Sequence, residues 1–110
     1  MKTFICINDL GELNEDDYDP VKIISEEALF KEVSGIFFYS NSVNDLAIKK
    51  KFSLWLKFVK EKEIPIFACS RSLSSRNLLN KVHPIVELTG LGQLIEGVLN
   101  NEKTIVIGKI

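Results

Sequence analysis

Short apolar runs rich in β-branched and aromatic residues alternate along this chain with amphipathic, helix-like segments. The runs predict strands at Thr3–Asn8, Val33–Tyr39, Ile64–Cys69, Pro84–Leu88 and Lys103–Ile107. Near-continuous apolar runs are typical of strands that are covered on both faces. An alternating β and α order indicates a parallel sheet. Each helix returns the chain to the end of the sheet where the previous strand began, through a right-handed crossover. We therefore expect a three-layer α/β/α fold with a five-stranded, mainly parallel sheet.

The segments between the apolar runs predict four helices. Pro20 suits the first turn of a helix, with Asp19 before it as the N-cap. Three further helices are predicted over residues 45–62, 72–81 and 90–100. The longest carries apolar residues at helical spacing, with lysines between them, which indicates one buried face. Those apolar residues are Ile48, Phe52, Trp55 and Val59.

The composition is that of an ordinary globular protein. The chain has 110 residues, of which 45% are hydrophobic and 26% charged, and this suits a single domain over residues 1–110. Its formal net charge of -1 supplies no excess of cations for a phosphate backbone, so direct nucleic-acid binding is disfavoured. No apolar run approaches the roughly 20 residues of a membrane span, and no signal peptide is visible. We expect a cytoplasmic protein with free thiols.

Few reactive side chains follow the predicted strands, and Cys69 is the most informative of them. It ends the third strand shortly before a predicted helix, whose N-terminal amides favour a thiolate over a thiol. Arg71 and Arg76 add positive charge nearby. A thiolate there is a nucleophile that can accept or pass on a sulfur atom. The alternative is that Cys69 is a small buried residue that closes a strand.

The other candidate residues carry weaker signals. Cys6 lies between two isoleucines in mid-strand and is expected in the core, and the single His83 lacks metal-ligand spacing. A loop position for His83 is favoured over a catalytic pair with Cys69. Residues 89–92 (TGLG) open a helix and are favoured as a tight turn over an anion site, since the full phosphate-loop pattern is absent. Residues 39–42 (YSNS) suggest a third alternative, a flavodoxin-like binder of a small anion.

Three of these segments together resemble the DsrE/DsrF-like sulfur-relay family, which includes the TusC and TusD subunits. The segment from Cys69 to Leu78 is similar to the family's cysteine segment, in which a strand leads to Cys, small residues, Leu and then Arg. Asn77 stands where the family usually has Gly after the Arg, and Asn tolerates left-handed backbone angles. Phe37-Phe38-Tyr39 followed by Val43 resembles the family's second strand and its exit loop. Residues 88–94 resemble the turn into its last helix.

The resemblance implies a sulfur carrier that needs no cofactor. The cysteine matched by Cys69 holds sulfane sulfur as a persulfide between an upstream and a downstream sulfurtransferase, and Arg71 and Arg76 would stabilise the anion. In one branch of the family the sulfur reaches tRNA 2-thiouridine, and in the other it serves sulfur oxidation. Members form homo- or hetero-oligomers. The acidic loop that begins at Asp9 departs from the family pattern, which leaves open a non-catalytic scaffold subunit as the alternative.

Overall fold

Five strands form one parallel sheet in the computed structural model, as predicted, although the fourth is Glu87–Thr89 and not the predicted Pro84–Leu88. The structure describes residues 2–11, 13, 17–28, 32–100 and 103–108. The strands are Lys2–Ile7 (β1), Glu32–Phe38 (β2), Ile66–Cys69 (β3), Glu87–Thr89 (β4) and Lys103–Ile107 (β5). Their order across the sheet is β4-β3-β2-β1-β5, and every neighbouring pair is parallel. The predicted α/β class is therefore confirmed.

Helices cover both faces of this sheet. They are Pro20–Ala28 (α1), Val43–Leu46 (α2), Lys49–Lys62 (α3), Ser70–Ser74 (α4) and Leu91–Asn100 (α5). On one face, Ile24 of α1 and Trp55 of α3 pack into a core with Ile5 of β1. On the other face, α5 comes so close that a Cβ atom placed on Gly97 would lie 2.6 Å from the ring of Phe4. No helix within the described ranges is long and apolar enough to cross a membrane.

The predicted helix over residues 45–62 is two helices with a break between them. The break falls at Ile48, whose backbone is extended, with φ -95° and ψ 112°. Phe52, Trp55 and Val59 are buried as predicted, whereas Ile48 is 43% exposed. Periodicity alone does not reveal such a break, because an extended residue at the helix start keeps the apolar spacing of the residues after it.

A polar network in the core links side chains on both sides of this break. Trp55 Nε1 donates a hydrogen bond of 2.8 Å to the Tyr18 hydroxyl, which donates one of 2.7 Å to Asp45 Oδ2. Lys51 Nζ lies 3.6 Å from Asp45 Oδ1 and 5.0 Å from the centre of the Tyr18 ring. Burial raises the pKa of Tyr18, so the hydroxyl stays protonated and acts as both donor and acceptor. The network fixes the segment before α1 against α2 and α3.

The start of α1 confirms the predicted N-cap. Asp19 Oδ1 accepts a hydrogen bond of 3.0 Å from the backbone N–H of Val21, and this satisfies one of the amides that a helix start leaves unpaired. Of the acidic loop predicted between β1 and α1, Glu12 and residues 14–16 lie outside the described residues.

The helix predicted over residues 72–81 is wrong in both its start and its length. Helix α4 begins at Ser70, directly after the strand, and ends at Ser74. Serine hydroxyls compete with helical hydrogen bonds, and the Ser75 hydroxyl donates to the carbonyl of Ser72 over 3.0 Å. Two residues later Asn77 has φ 56°, a left-handed conformation that ends the helical path. The expectation that Asn77 accommodates such a turn is thus confirmed.

The contact between Gly97 and Phe4 predicts opposite effects for two matched alanine substitutions in α5. Because Phe4 is buried and the added Cβ atom would lie only 2.6 Å from its ring, Gly97→Ala should lower the free energy of unfolding by about 1–3 kcal/mol through overpacking. A Cβ atom on Gly92 would meet nothing within 4 Å. Gly92→Ala should therefore leave stability unchanged or raise it by up to about 1 kcal/mol. Urea denaturation measures both, and equal effects at the two positions would contradict the packing of α5 against β1.

Candidate functional site

The parallel register brings three of the predicted segments together at the carboxyl edge of the sheet. Cys69 of β3 is the register partner of Thr89 of β4, and Phe38 of β2 is the partner of Ala68. The residues that follow β2 and β4 therefore flank Cys69. Together they line one open cleft of about 520 Å³. Its lining consists of Phe37, Tyr39, Ser40, Cys69, Arg71, Ser72, Ser75, Arg76 and Gly90.

Cys69 lies at the junction between strand and helix. Its backbone is extended, with φ -69° and ψ 114°, and it is the N-cap residue of α4. The side chain is 7% exposed and packs in the smaller core cluster with Phe37 and Phe67. The thiol thus lies on the same face of the sheet as α5, in an apolar floor that opens into the cleft. The burial agrees with the core alternative, while the position in the cleft agrees with the reactive one.

Opposing effects act on the ionisation of Cys69. Burial raises the pKa of the thiol, but the Ser72 hydroxyl, the backbone N–H groups of Ser72 and Arg71, and the positive charge of Arg71 together lower it below its ordinary value. No cap hydrogen bond of its own joins the Cys69 side chain to α4. The Ser72 hydroxyl and the two backbone N–H groups therefore lie around the sulfur, where a negative charge would form.

Ser72 holds its position through the loop that follows β2. Its Oγ atom accepts a hydrogen bond of 3.0 Å from the backbone N–H of Ser40, which leaves the hydroxyl proton to be donated to the sulfur of Cys69. Ser40 has φ 56°, a left-handed conformation that is uncommon for a residue with a side chain. The next turn is anchored by Ser42, whose hydroxyl donates to the carbonyl of Ile7 over 2.6 Å.

Arg76 lines the cleft but is held away from the sulfur. Its Nη1 atom donates to the carbonyl of Ser72 over 3.0 Å, and Nη2 donates to Asn41 Oδ1 over 2.7 Å. The Asn41 amide in turn donates to Asp9 Oδ2 over 3.2 Å. Arg76 is not among the groups that shift the pKa of Cys69, whereas Arg71 is. The two predicted arginines thus have different roles. Arg71 acts on the thiol, and Arg76 connects the segment after β3 to the loop after β2.

The remaining candidates fall outside the cleft. Cys6 is buried in the core as predicted, and burial raises the pKa of its thiol to about 11. His83 is exposed, stacks on Phe52 at 5.5 Å and accepts a hydrogen bond from the N–H of Ile85. Phe52 belongs to the core on the opposite face of the sheet from Cys69, so the two residues form no catalytic pair. The part of the chain that the structure describes holds no cluster of metal-ligating side chains.

Sequence reasoning missed the roles of Ser72 and Asn41. Ser72 stands three residues after Cys69, the spacing at which a side chain at the third helical position reaches back to the N-cap residue. That spacing could have indicated a donor to the thiol. Asn41 gave no such signal, since its contact with Arg76 joins positions 35 residues apart in the chain.

The site combines a cleft, a thiol whose pKa is lowered and two arginines. A buried thiolate with hydrogen-bond donors around it is a nucleophile for sulfur, carbon or metal electrophiles, and those donors favour the charged form. No protein-family model matches the chain, and the search of the curated proteins gives no match either. The chemistry of the site and the resemblance noted from the sequence are therefore the grounds for a function.

Removal of the Ser72 hydroxyl should make Cys69 less acidic. Because this hydroxyl favours the thiolate, Ser72→Ala should raise the pKa of Cys69, and the rate of alkylation by iodoacetamide should rise at higher pH than in the wild type. Ser75→Ala is the matched control, since Ser75 lines the same cleft without acting on the thiol. Identical rate profiles for the wild type and Ser72→Ala would remove Ser72 from the site.

Proposed function

We propose that this chain is a sulfur carrier that holds sulfane sulfur as a persulfide on Cys69. The observation that carries the proposal is the lowered pKa of a thiol at the floor of an open cleft, with hydrogen-bond donors around it. A carrier needs a thiolate to accept sulfur and a stabilised anion to keep it. The resemblance of residues 69–78 to the cysteine segment of sulfur-relay proteins supports the same chemistry.

Sulfur transfer through Cys69 takes two displacement steps. The thiolate attacks the outer sulfur of a donor cysteine persulfide, the sulfur–sulfur bond in the donor breaks, and the donor cysteine leaves as a thiolate. Cys69 then carries the persulfide anion, which Arg71 and the Ser72 hydroxyl stabilise as they do the thiolate. In the second step an acceptor thiolate attacks the outer sulfur, and Cys69 leaves. Neither step needs an external oxidant or reductant.

The proposed partners are upstream and downstream sulfur-transfer proteins, with tRNA 2-thiouridine as the end point in preference to sulfur oxidation. We also propose that the chain works in a homo- or hetero-oligomer. Apolar side chains support a protein interface, because Val98 and Leu99 of α5 are 47% and 76% exposed and Val106 of the edge strand β5 is 48% exposed. Contiguous exposed apolar surface marks contact sites between proteins, and these three side chains would contribute to such a surface.

Persulfide formation can be measured directly by mass spectrometry. Incubation with a cysteine desulfurase and cysteine should add the mass of one sulfur atom to the wild-type chain, and fragmentation should place it on the peptide that contains Cys69. Cys69→Ser should gain no sulfur. Cys6→Ala is the matched control and should label as the wild type does, because the Cys6 thiol is buried and its raised pKa keeps it protonated.

The same measurement separates the carrier from the scaffold alternative. Sulfur on Cys69→Ser at the wild-type level, or no sulfur on any variant, would contradict the carrier. In the second case, an oligomer that forms equally well in the wild type and in Cys69→Ser favours the scaffold subunit. Circular dichroism shows whether each variant is folded before it is compared.

A further inference from the structure

The lining of the Cys69 cleft is cationic and lacks a carboxylate. Arg71 and Arg76 contribute two guanidinium groups, and four hydroxyl side chains lie beside them. The hydroxyl groups belong to Tyr39, Ser40, Ser72 and Ser75. Among the described residues, no carboxylate lies within ion-pairing distance of either guanidinium. A concave site whose cations lack a carboxylate partner is suited to a small anion.

The two arginines are presented to the cleft in different ways. Arg76 is fixed by three hydrogen bonds from its terminal nitrogens, at 2.7–3.2 Å, to the Ser72 carbonyl, the Ser75 hydroxyl and the Asn41 side chain, so its planar group keeps one orientation. A guanidinium carries five N–H donors, and donors remain after these bonds. Arg71 is exposed, and its guanidinium makes no hydrogen bond or ion pair with the described residues, so this group is free to close over a bound anion.

We propose that the cleft binds a small sulfane-sulfur compound with an oxyanion group, of the thiosulfate type, and that this compound loads Cys69 without a protein donor. The inference rests on the proposed carrier function and names a substrate class for the same site. The arginines would hold the oxyanion while its sulfane sulfur faces the thiolate. A cleft of about 520 Å³ admits such a molecule with room to spare.

The reaction balances without any further reagent. The electron pair of the Cys69 thiolate forms a bond to the sulfane sulfur of thiosulfate, and the sulfur–sulfur bond of thiosulfate breaks. Its electron pair leaves on sulfite, so the products are the Cys69 persulfide anion and sulfite. No proton, oxidant or reductant takes part. The positive charges stabilise both the bound dianion and the departing one, as an anion-binding site does for a leaving group.

A pair of alkylating reagents tests the positive charge of the cleft independently of sulfur transfer. Iodoacetate carries a negative charge and iodoacetamide does not, and both need the thiolate, so the ratio of their rates cancels any change in the pKa of Cys69. Arg71→Gln and Arg76→Gln should each lower this ratio about threefold to tenfold, as expected for the loss of one unit charge beside the reagent in partly screened surroundings. Lys57→Gln, an exposed change on α3, is the matched control and should leave the ratio unchanged.

Loading by thiosulfate completes the test. Wild-type protein incubated with thiosulfate should gain one sulfur atom on Cys69 and release one equivalent of sulfite, while the two arginine variants should load more slowly and Lys57→Gln at the wild-type rate. Loading by cysteine desulfurase but not by thiosulfate would overturn this inference and leave the carrier function standing. Loading by neither would overturn both. If the ratio of iodoacetate to iodoacetamide rates is the same in the wild type and in both arginine variants, the anion site is overturned.

Discussion

The hydrogen bond from the Ser40 amide to Ser72 Oγ joins the loop after β2 to the helix after β3, and the candidate site depends on it. By accepting at oxygen, Ser72 leaves its proton for the sulfur of Cys69. Arg76 reinforces the same junction, since it bonds both the carbonyl of Ser72 and the side chain of Asn41. The left-handed backbone of Ser40, which costs about 1 kcal/mol or more, is tolerated because these contacts hold it.

The two cysteines show how position in one sheet sets the chemistry of a thiol. Both belong to the same small apolar cluster, yet Cys6 lies in mid-strand with no hydrogen-bond donor to its sulfur among the described residues, and burial alone raises its pKa. Cys69 lies where the strand ends, and there backbone amides, a hydroxyl and a guanidinium outweigh burial. The difference arises from the end of the strand, where the turn into α4 directs unpaired amides toward the side chain.

The local sequence pattern was sufficient to predict the strands and the position of Cys69 at the end of one of them. It was insufficient to predict the contacts around them. The near-continuous apolar runs predicted all five strands, and the position of Cys69 after one of them indicated a site. The break at Ile48 accompanies contacts between distant residues in the network of Tyr18, while α4 ends early because serine hydroxyls compete with its helical hydrogen bonds. The register that sets Thr89 beside Cys69, and the contact of Asn41 with Arg76, join distant parts of the chain and leave no trace in local spacing.

The central claim is that Cys69 is an acidic thiol in the folded protein. The most direct measurement is a titration of both cysteines by nuclear magnetic resonance, with carbon-13 at Cβ and with Cys6→Ala to assign the signals. We expect the pKa of Cys69 to lie below the ordinary thiol value of 9.0, and that of Cys6 to be raised to about 11. A Cys69 signal that titrates at or above the ordinary value would contradict it.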